Sequence, residues 1–119
     1  MNNVIISGRL TADPELQTTP SNIPVCTFIL AVDRNSKDEA ADFPAVVAWR
    51  QTAEFVTKYL RKGRRIIVKG ELRTRTFKDK YGNNRKVTEI QADRVEFADS
   101  PKKNENQEGY TNEYTEDYR

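Results

Sequence analysis

The segment Arg65-Ile-Ile-Val-Lys-Gly-Glu-Leu-Arg-Thr-Arg-Thr-Phe-Lys78 holds the densest chemistry in the chain, and its period is two. In an extended strand successive side chains point to opposite sides, so the segment sorts into two rows. Ile66, Val68, Gly70, Leu72, Thr74 and Thr76 form one row, apolar at its start. Ile67, Lys69, Glu71, Arg73, Arg75 and Phe77 form the other. A protein interior does not accept three unpaired cations, so the second row faces solvent or a polyanion. Two guanidinium groups alternating with a ring suit a single-stranded nucleic acid. Cations meet the phosphates and a flat ring meets an unstacked base. The surroundings carry the same sign: Lys58 to Lys86 contains 12 Lys and Arg residues against only Glu71 and Asp79. A second alternating stretch sets Phe43, Ala45, Val47 and Trp49 on one side and Pro44, Val46, Ala48 and Arg50 on the other. Alternation leaves its facing open, because the small apolar row packs better as core yet ends in a cation.

Other chemistry is poorly supplied. There is no histidine among the 119 residues, which removes imidazole bases, Ser-His-Asp and Cys-His nucleophiles, and imidazole zinc sites. Asp13, Glu15, Asp38 and Glu39 are scattered, with no close pair on an apolar background. No glycine loop cradles a phosphate. We therefore expect no catalytic residue, no metal and no cofactor: a binding protein and not an enzyme. The single cysteine, Cys26, alternates with Phe28 and Leu30, as a buried inert thiol would. It allows no internal disulfide, which fits a reducing cytosol. Tyr59 reads as a helix residue packing on the body. Tyr81, at a turn, could be a stacking ring or a simple turn residue.

These side chains must be positioned by short strands. Val4 to Leu10 is a β-branched run interrupted by Gly8, as in a strand with a bulge. Thr11 to Pro24 reads as connection, Val25 to Val32 as a second strand, Asp33 to Asp42 as a polar loop, and Phe43 to Trp49 as a third strand. Ala53, Val56, Tyr59 and Leu60 then fall at helical spacing, and Gly63 occupies a position suited to a left-handed C-terminal cap. Arg65 to Lys78 is a fourth strand, residues 79–84 a turn, and Lys86 to Phe97 the returning fifth. This order predicts an all-β domain: a five-stranded Greek-key barrel of the OB type with a short helix between strands three and four. An SH3-like barrel, the main rival, has no helix there.

The domain should span residues 1–97, which carry 17 Lys and Arg against 12 Asp and Glu, a net of +5. Residues 98–119 carry 3 against 6, a net of −3, with no Val, Ile, Leu, Phe, Met or Trp. Such a segment cannot offset its ordering entropy, and we expect a disordered acidic tail. Nothing approaches the roughly 18 apolar residues of a membrane span, and no apolar leader opens the chain. The expectation is a soluble, cytoplasmic, nucleoid-associated protein with no membrane partner.

Ala53-Glu54, Tyr59-Leu60-Arg61-Lys62-Gly63 and Gly70-Glu71-Leu72-Arg73-Thr74-Arg75 resemble the signature of bacterial-type single-stranded DNA-binding proteins. Asn3 to Leu10 followed by Asp13-Pro14-Glu15 resembles that family's first strand and loop, so the likeness covers about residues 2–97. The resemblance implies an OB-fold protomer that forms a homotetramer and binds single-stranded DNA without sequence preference, in replication, recombination and repair. The family's stacking aromatics fall on Phe43, Trp49 and Phe77, which assigns the third-strand stripe to the ligand. Its phosphate-tracking cations fall on Arg9, Arg50, Lys62, Lys69, Arg73 and Arg75, with Lys78 and Arg85 in the hairpin. Two features depart from the pattern. The loop from Asp33 to Asp42 has no tryptophan, and the chain closes Thr115-Glu-Asp-Tyr-Arg119, not in an acidic tip with Pro-Phe. The second departure weighs against recruitment of replication and repair proteins. The alternatives are an OB module for RNA or a replication-restart complex, a small nuclease, and a scaffold for an acidic protein.

Overall fold

A computed structural model describes residues 1–35 and 40–98. Seven strands and one helix follow in the order β1 (Val4–Leu10), β2 (Gln17–Thr18), β3 (Pro24–Asp33), β4 (Ala41–Asp42), β5 (Ala45–Trp49), α1 (Arg50–Tyr59), β6 (Arg65–Lys78) and β7 (Asn84–Phe97). The five long strands pair in the sequence β1-β6-β7-β5-β3, and β3 returns to β1 through Arg9↔Ala31 and Leu10↔Leu30. The ring of ladders thus closes. All pairings are antiparallel except β5 with β7, where Val46↔Ile90 and Val47↔Gln91 run parallel. The five-stranded all-β expectation holds, with the helix between the third and fourth long strands.

Inward rows of these strands build one core. Leu10, Cys26, Phe28, Leu30, Val46, Ala48, Ile66, Val68, Ile90 and Ala92 are buried, and α1 adds Ala53, Val56 and, just past its end, Leu60. No polar or charged residue is buried among the described residues. Each large apolar side chain removed from water contributes about 1.5–3 kcal/mol, so this cluster stabilises the domain.

Several local expectations are corrected. Gly8 does not mark a bulge: β1 pairs β6 in unbroken register from Val4↔Gly70 to Arg9↔Arg65. Its missing side chain serves ring closure instead, since a Cβ there would lie 2.5 Å from the Ala31 carbonyl oxygen. The irregularity sits on β6–β7, where Lys69 pairs Arg94 and Gly70 pairs Ala92, leaving Asp93 as the extra residue. Two short strands, β2 and β4, take hydrogen bonds from stretches read as loop. The remainder of the Asp33–Asp42 loop, residues 36–39, lies outside the described residues. Helix α1 begins at Arg50, three residues before Ala53, the first residue of the helical spacing. Gly63 does not cap it: the C-cap is Leu60, in extended conformation with φ −110°. Gly63 has φ +89° in the following turn, and its N–H donates to the Leu10 carbonyl at 2.8 Å. Tyr59 packs on Phe55, with ring centroids 5.4 Å apart, but stays exposed. β7 starts at Asn84, and Phe43 precedes β5. At the far end the Ala98 N–H donates to the Arg65 carbonyl, whereas the tail from residue 99 lies outside the described residues.

Candidate nucleic-acid interface

The facing of the third long strand is decided by burial. Val46 and Ala48 are fully buried and set the inner row. On the opposite row Val47 is buried too, so only the ends of that row open outward, with Phe43 and Trp49 63% and 37% exposed. Trp49 ends β5 opposite Val25. The chain then turns at once into α1 through Arg50, whose φ of +57° is left-handed. That conformation costs a non-glycine residue about 1–2 kcal/mol. The turn leaves Trp49 and Arg50 on the lip of a groove of about 620 Å³, lined also by Pro24, Gln51, Thr52 and Glu54.

β6 behaves as two different strands in series. From Ile66 to Gly70 one row is buried, as alternation predicts. Beyond Gly70 the burial pattern lapses. Leu72, assigned by alternation to the inward row, is 48% exposed, and every residue from Leu72 to Lys78 faces water. The hairpin β6–β7 thus leaves the ring as a two-stranded arm. Along its outward row, Phe77 is 42% exposed, with the Arg75 guanidinium 5.4 Å from its ring centroid. The structure therefore brings Lys69, Arg73, Arg75 and Phe77 onto one stripe. Phe77 pairs Arg85 across the ladder, so Arg85 joins the same face, while Lys78 belongs to the alternate row and donates to Asn84 Oδ1 at 3.1 Å.

Arg9 and Lys62 both lie near the Arg65 end of β6. Arg9 pairs Arg65 across β1–β6, and its Nη1 donates to the Gly63 carbonyl at 2.9 Å. The Lys62 N–H donates to Asp13 Oδ1 at 2.8 Å, tying the loop after β1 to the turn after α1.

Acidic partners were not foreseen. Arg73 is held by Glu71 at 3.0 Å, Arg75 by Glu89 at 3.0 Å, and Arg85 by Asp79 at 2.8 Å. Lys62, Lys69 and Arg50 have no ion pair among the described residues. Glu89 could have been found from the hairpin register, which sets it opposite Arg73 and diagonal to Arg75. Ile29, 44% exposed between buried Phe28 and Leu30, was likewise legible from alternation as an outward apolar residue. Electrostatic shifts are few. The Arg85 guanidinium, with the N–H groups of Asn83 and Tyr81, holds the Asp79 carboxyl below the usual carboxylate range. Burial pushes the Cys26 thiol up, against a smaller opposing hydrogen bond with the Glu15 backbone. No group of three metal-ligating side chains occurs among the described residues.

Exposed rings and cations on the outside of a closed five-stranded ring describe a ligand platform. Comparison with known proteins gives that platform a family. The model of the single-strand binding protein family matches residues 1–98. The chain belongs to that family. A single-stranded DNA-binding protein of Caldanaerobacter subterraneus subsp. tengcongensis is 46% identical over 101 residues, covering 82% of this chain and 67% of the relative. One from Clostridium tetani is 44% identical over 117 residues, covering 94% and 81%. Single-stranded DNA-binding protein 2 of Listeria monocytogenes is 43% identical over 115 residues, covering 93% and 71%. Membership in the single-strand binding family places the chain among OB-fold, non-enzymatic DNA-binding proteins.

Proposed function

We propose that residues 1–97 bind single-stranded DNA without sequence preference and protect it during replication, recombination and repair. Phe43, Trp49 and Phe77 stack bases; Arg9, Arg50, Lys62, Lys69, Arg73, Arg75, Lys78 and Arg85 track the phosphates. The observation that carries this reading is the outward row of β6, where cations and Phe77 share one exposed stripe. Every base has a π-face, so stacking rings accept any sequence.

A homotetramer belongs to the same proposal. Along Val4 to Gly8 β1 pairs only β6, because its pairs with β3 are confined to Arg9 and Leu10. An open strand edge beside exposed Ile5 favours pairing with a second copy. No helix among the described residues is long and apolar enough to cross a membrane, and we place the protein in the cytoplasm with the nucleoid.

Titration of Trp49 fluorescence with oligo-dT across a salt series tests the reading. We expect quenching, with log K falling by about 0.7 per phosphate neutralised for each unit of log salt. Trp49→Ala, followed by anisotropy of labelled DNA, and Phe77→Ala should each weaken binding by about 1–3 kcal/mol with the fold intact. Unchanged affinity in both variants, or a salt slope near zero, would refute it.

A further inference from the structure

The tip of the β6–β7 arm repeats, in miniature, the pairing of a cation with an exposed ring seen at Arg75 and Phe77. Tyr81 is 76% exposed, and Lys80 Nζ lies 5.4 Å from its ring centroid. The turn around it is unusually well determined. One oxygen of Asp79 accepts the N–H of Tyr81 at 2.9 Å and of Asn83 at 3.0 Å, and the other accepts Arg85 Nε at 2.8 Å. The Gly82 N–H donates to the Asp79 carbonyl, and the Asp79 N–H to the Asn83 carbonyl, both at 3.0 Å. Gly82, at φ +83°, supplies the left-handed position that closes the turn.

The tyrosine side chain contributes nothing to this turn chemistry, since Tyr81 enters it only through its backbone N–H. Turns favour Gly, Pro, Asn, Asp and Ser for backbone reasons, and here Asp79, Gly82 and Asn83 already meet them. A ring left in water at such a position adds no packing either. Its surroundings have the charge that draws a polyanion: Lys78, Lys80, Arg85 and Lys86 stand against Asp79 alone.

We propose that Tyr81 is a further base-stacking platform, held out on a rigid turn, that lengthens the track for single-stranded nucleic acid beyond Phe77. The proposal rests on the single-stranded DNA reading above and extends its footprint. Four residues of chain at about 3.6 Å each keep the two Cα atoms within about 14 Å. Stacked nucleotides rise about 3.4 Å each, so that span is at most about four stacked nucleotides. A strand lying along the arm and engaging Phe77 therefore reaches Tyr81 after a few more. Because Asp79 fixes the backbone on both sides of the ring, little ordering entropy remains to be lost on stacking.

The test is affinity of the full chain for an oligo-dT series of increasing length, compared among the unaltered protein, Tyr81→Ala, Tyr81→Phe and Phe77→Ala. Tyr81→Ala should match the unaltered protein on the shortest oligomers that bind. Once the oligomer is long enough to reach the tip, it should fall behind by about fivefold or more. Tyr81→Phe should keep the gain, since the ring stacks, and thermal unfolding of both variants should match the unaltered protein. If Tyr81→Ala binds like the unaltered protein at every length while Phe77→Ala is weakened, the inference is overturned and the single-stranded DNA reading stands. A uniform loss at all lengths with a lowered unfolding temperature also overturns it, by making Tyr81 structural. Failure of the unaltered protein to bind any oligo-dT would overturn both.

Discussion

The two halves of the β6–β7 hairpin share one hydrogen-bonded ladder and almost nothing else. In the ring, Ile66 and Val68 are fully buried and Leu30, Val46 and Val56 lie equally out of reach of water. In the arm, from Leu72 to Lys78, no β6 side chain is buried. The ladder continues through both, with Arg73↔Glu89 as regular as Val68↔Val95. Backbone pairing alone therefore does not decide which part carries stability. The ring is held by apolar burial. The arm is held by cross-strand pairs such as Arg75–Glu89 and by its turn, and its surface is left free for charge and rings.

The contrast breaks most visibly under truncation. Leu30→Ala, in the ring, should lose about 2–5 kcal/mol in denaturant unfolding. A loss under 1 kcal/mol would mean that the ring is not the stabilising half. Cys26 gives an independent readout of the same half. Its thiol is buried and kept protonated, so alkylation at neutral pH has to wait for the ring to open. Leu30→Ala should accelerate that reaction by about 30-fold or more, the rate equivalent of its loss in stability. Alkylation as fast in the folded protein as in denaturant would contradict burial of the thiol.

Arm effects should be smaller and local. Asp79 ionises more readily folded than free, so its bonds add stability at neutral pH and lose it as the carboxylate is protonated. The ordinary aspartate value is 3.8, so the contribution is present above that pH and fades as pH drops through the lower folded value. Hydrogen exchange should show the Tyr81 and Asn83 amides losing protection in that acid range while the amides of β3 keep theirs. Loss at pH 6 would contradict the depressed carboxyl. Smallest of all, Thr74→Ala should shift unfolding by no more than about 0.5 kcal/mol, since its hydroxyl meets Thr88, 3.3 Å away on the surface.

The same division governed what could be read from sequence. Alternation located Cys26, Phe28 and Leu30 inside, and β6 from Arg65 to Lys78 to the residue, because burial on one face of a strand writes a period of two. It misplaced Leu72 because the arm has no inside, so nothing there constrains which side is apolar. It left Phe43 and Trp49 unassigned because both rows of β5 are largely apolar. Gly8 was misread because close approach to β3 is a non-local fact. Neither Asp93 as the extra residue nor the ion pair to Glu89 could be fixed before the register across the hairpin was known, whereas Glu71 and Arg73 are neighbours in one row of β6.

Closure of the ring through β1 also orders events in time. Val4 pairs Gly70, so β1, once synthesised, waits for a partner 66 residues later. At about 5–20 residues per second that is about 3–13 s of synthesis, far longer than the microseconds a hairpin needs. Throughout that interval Val4, Ile5 and Ile6 are an apolar segment without a ladder, next to sister chains on the same message. The β6–β7 hairpin, whose partners are neighbours in sequence, can form as soon as it emerges and then gather the waiting strand. Fusions that delay residues 65–70, or slow codons placed ahead of them, would prolong the aggregation-prone stage without altering any contact of the finished fold.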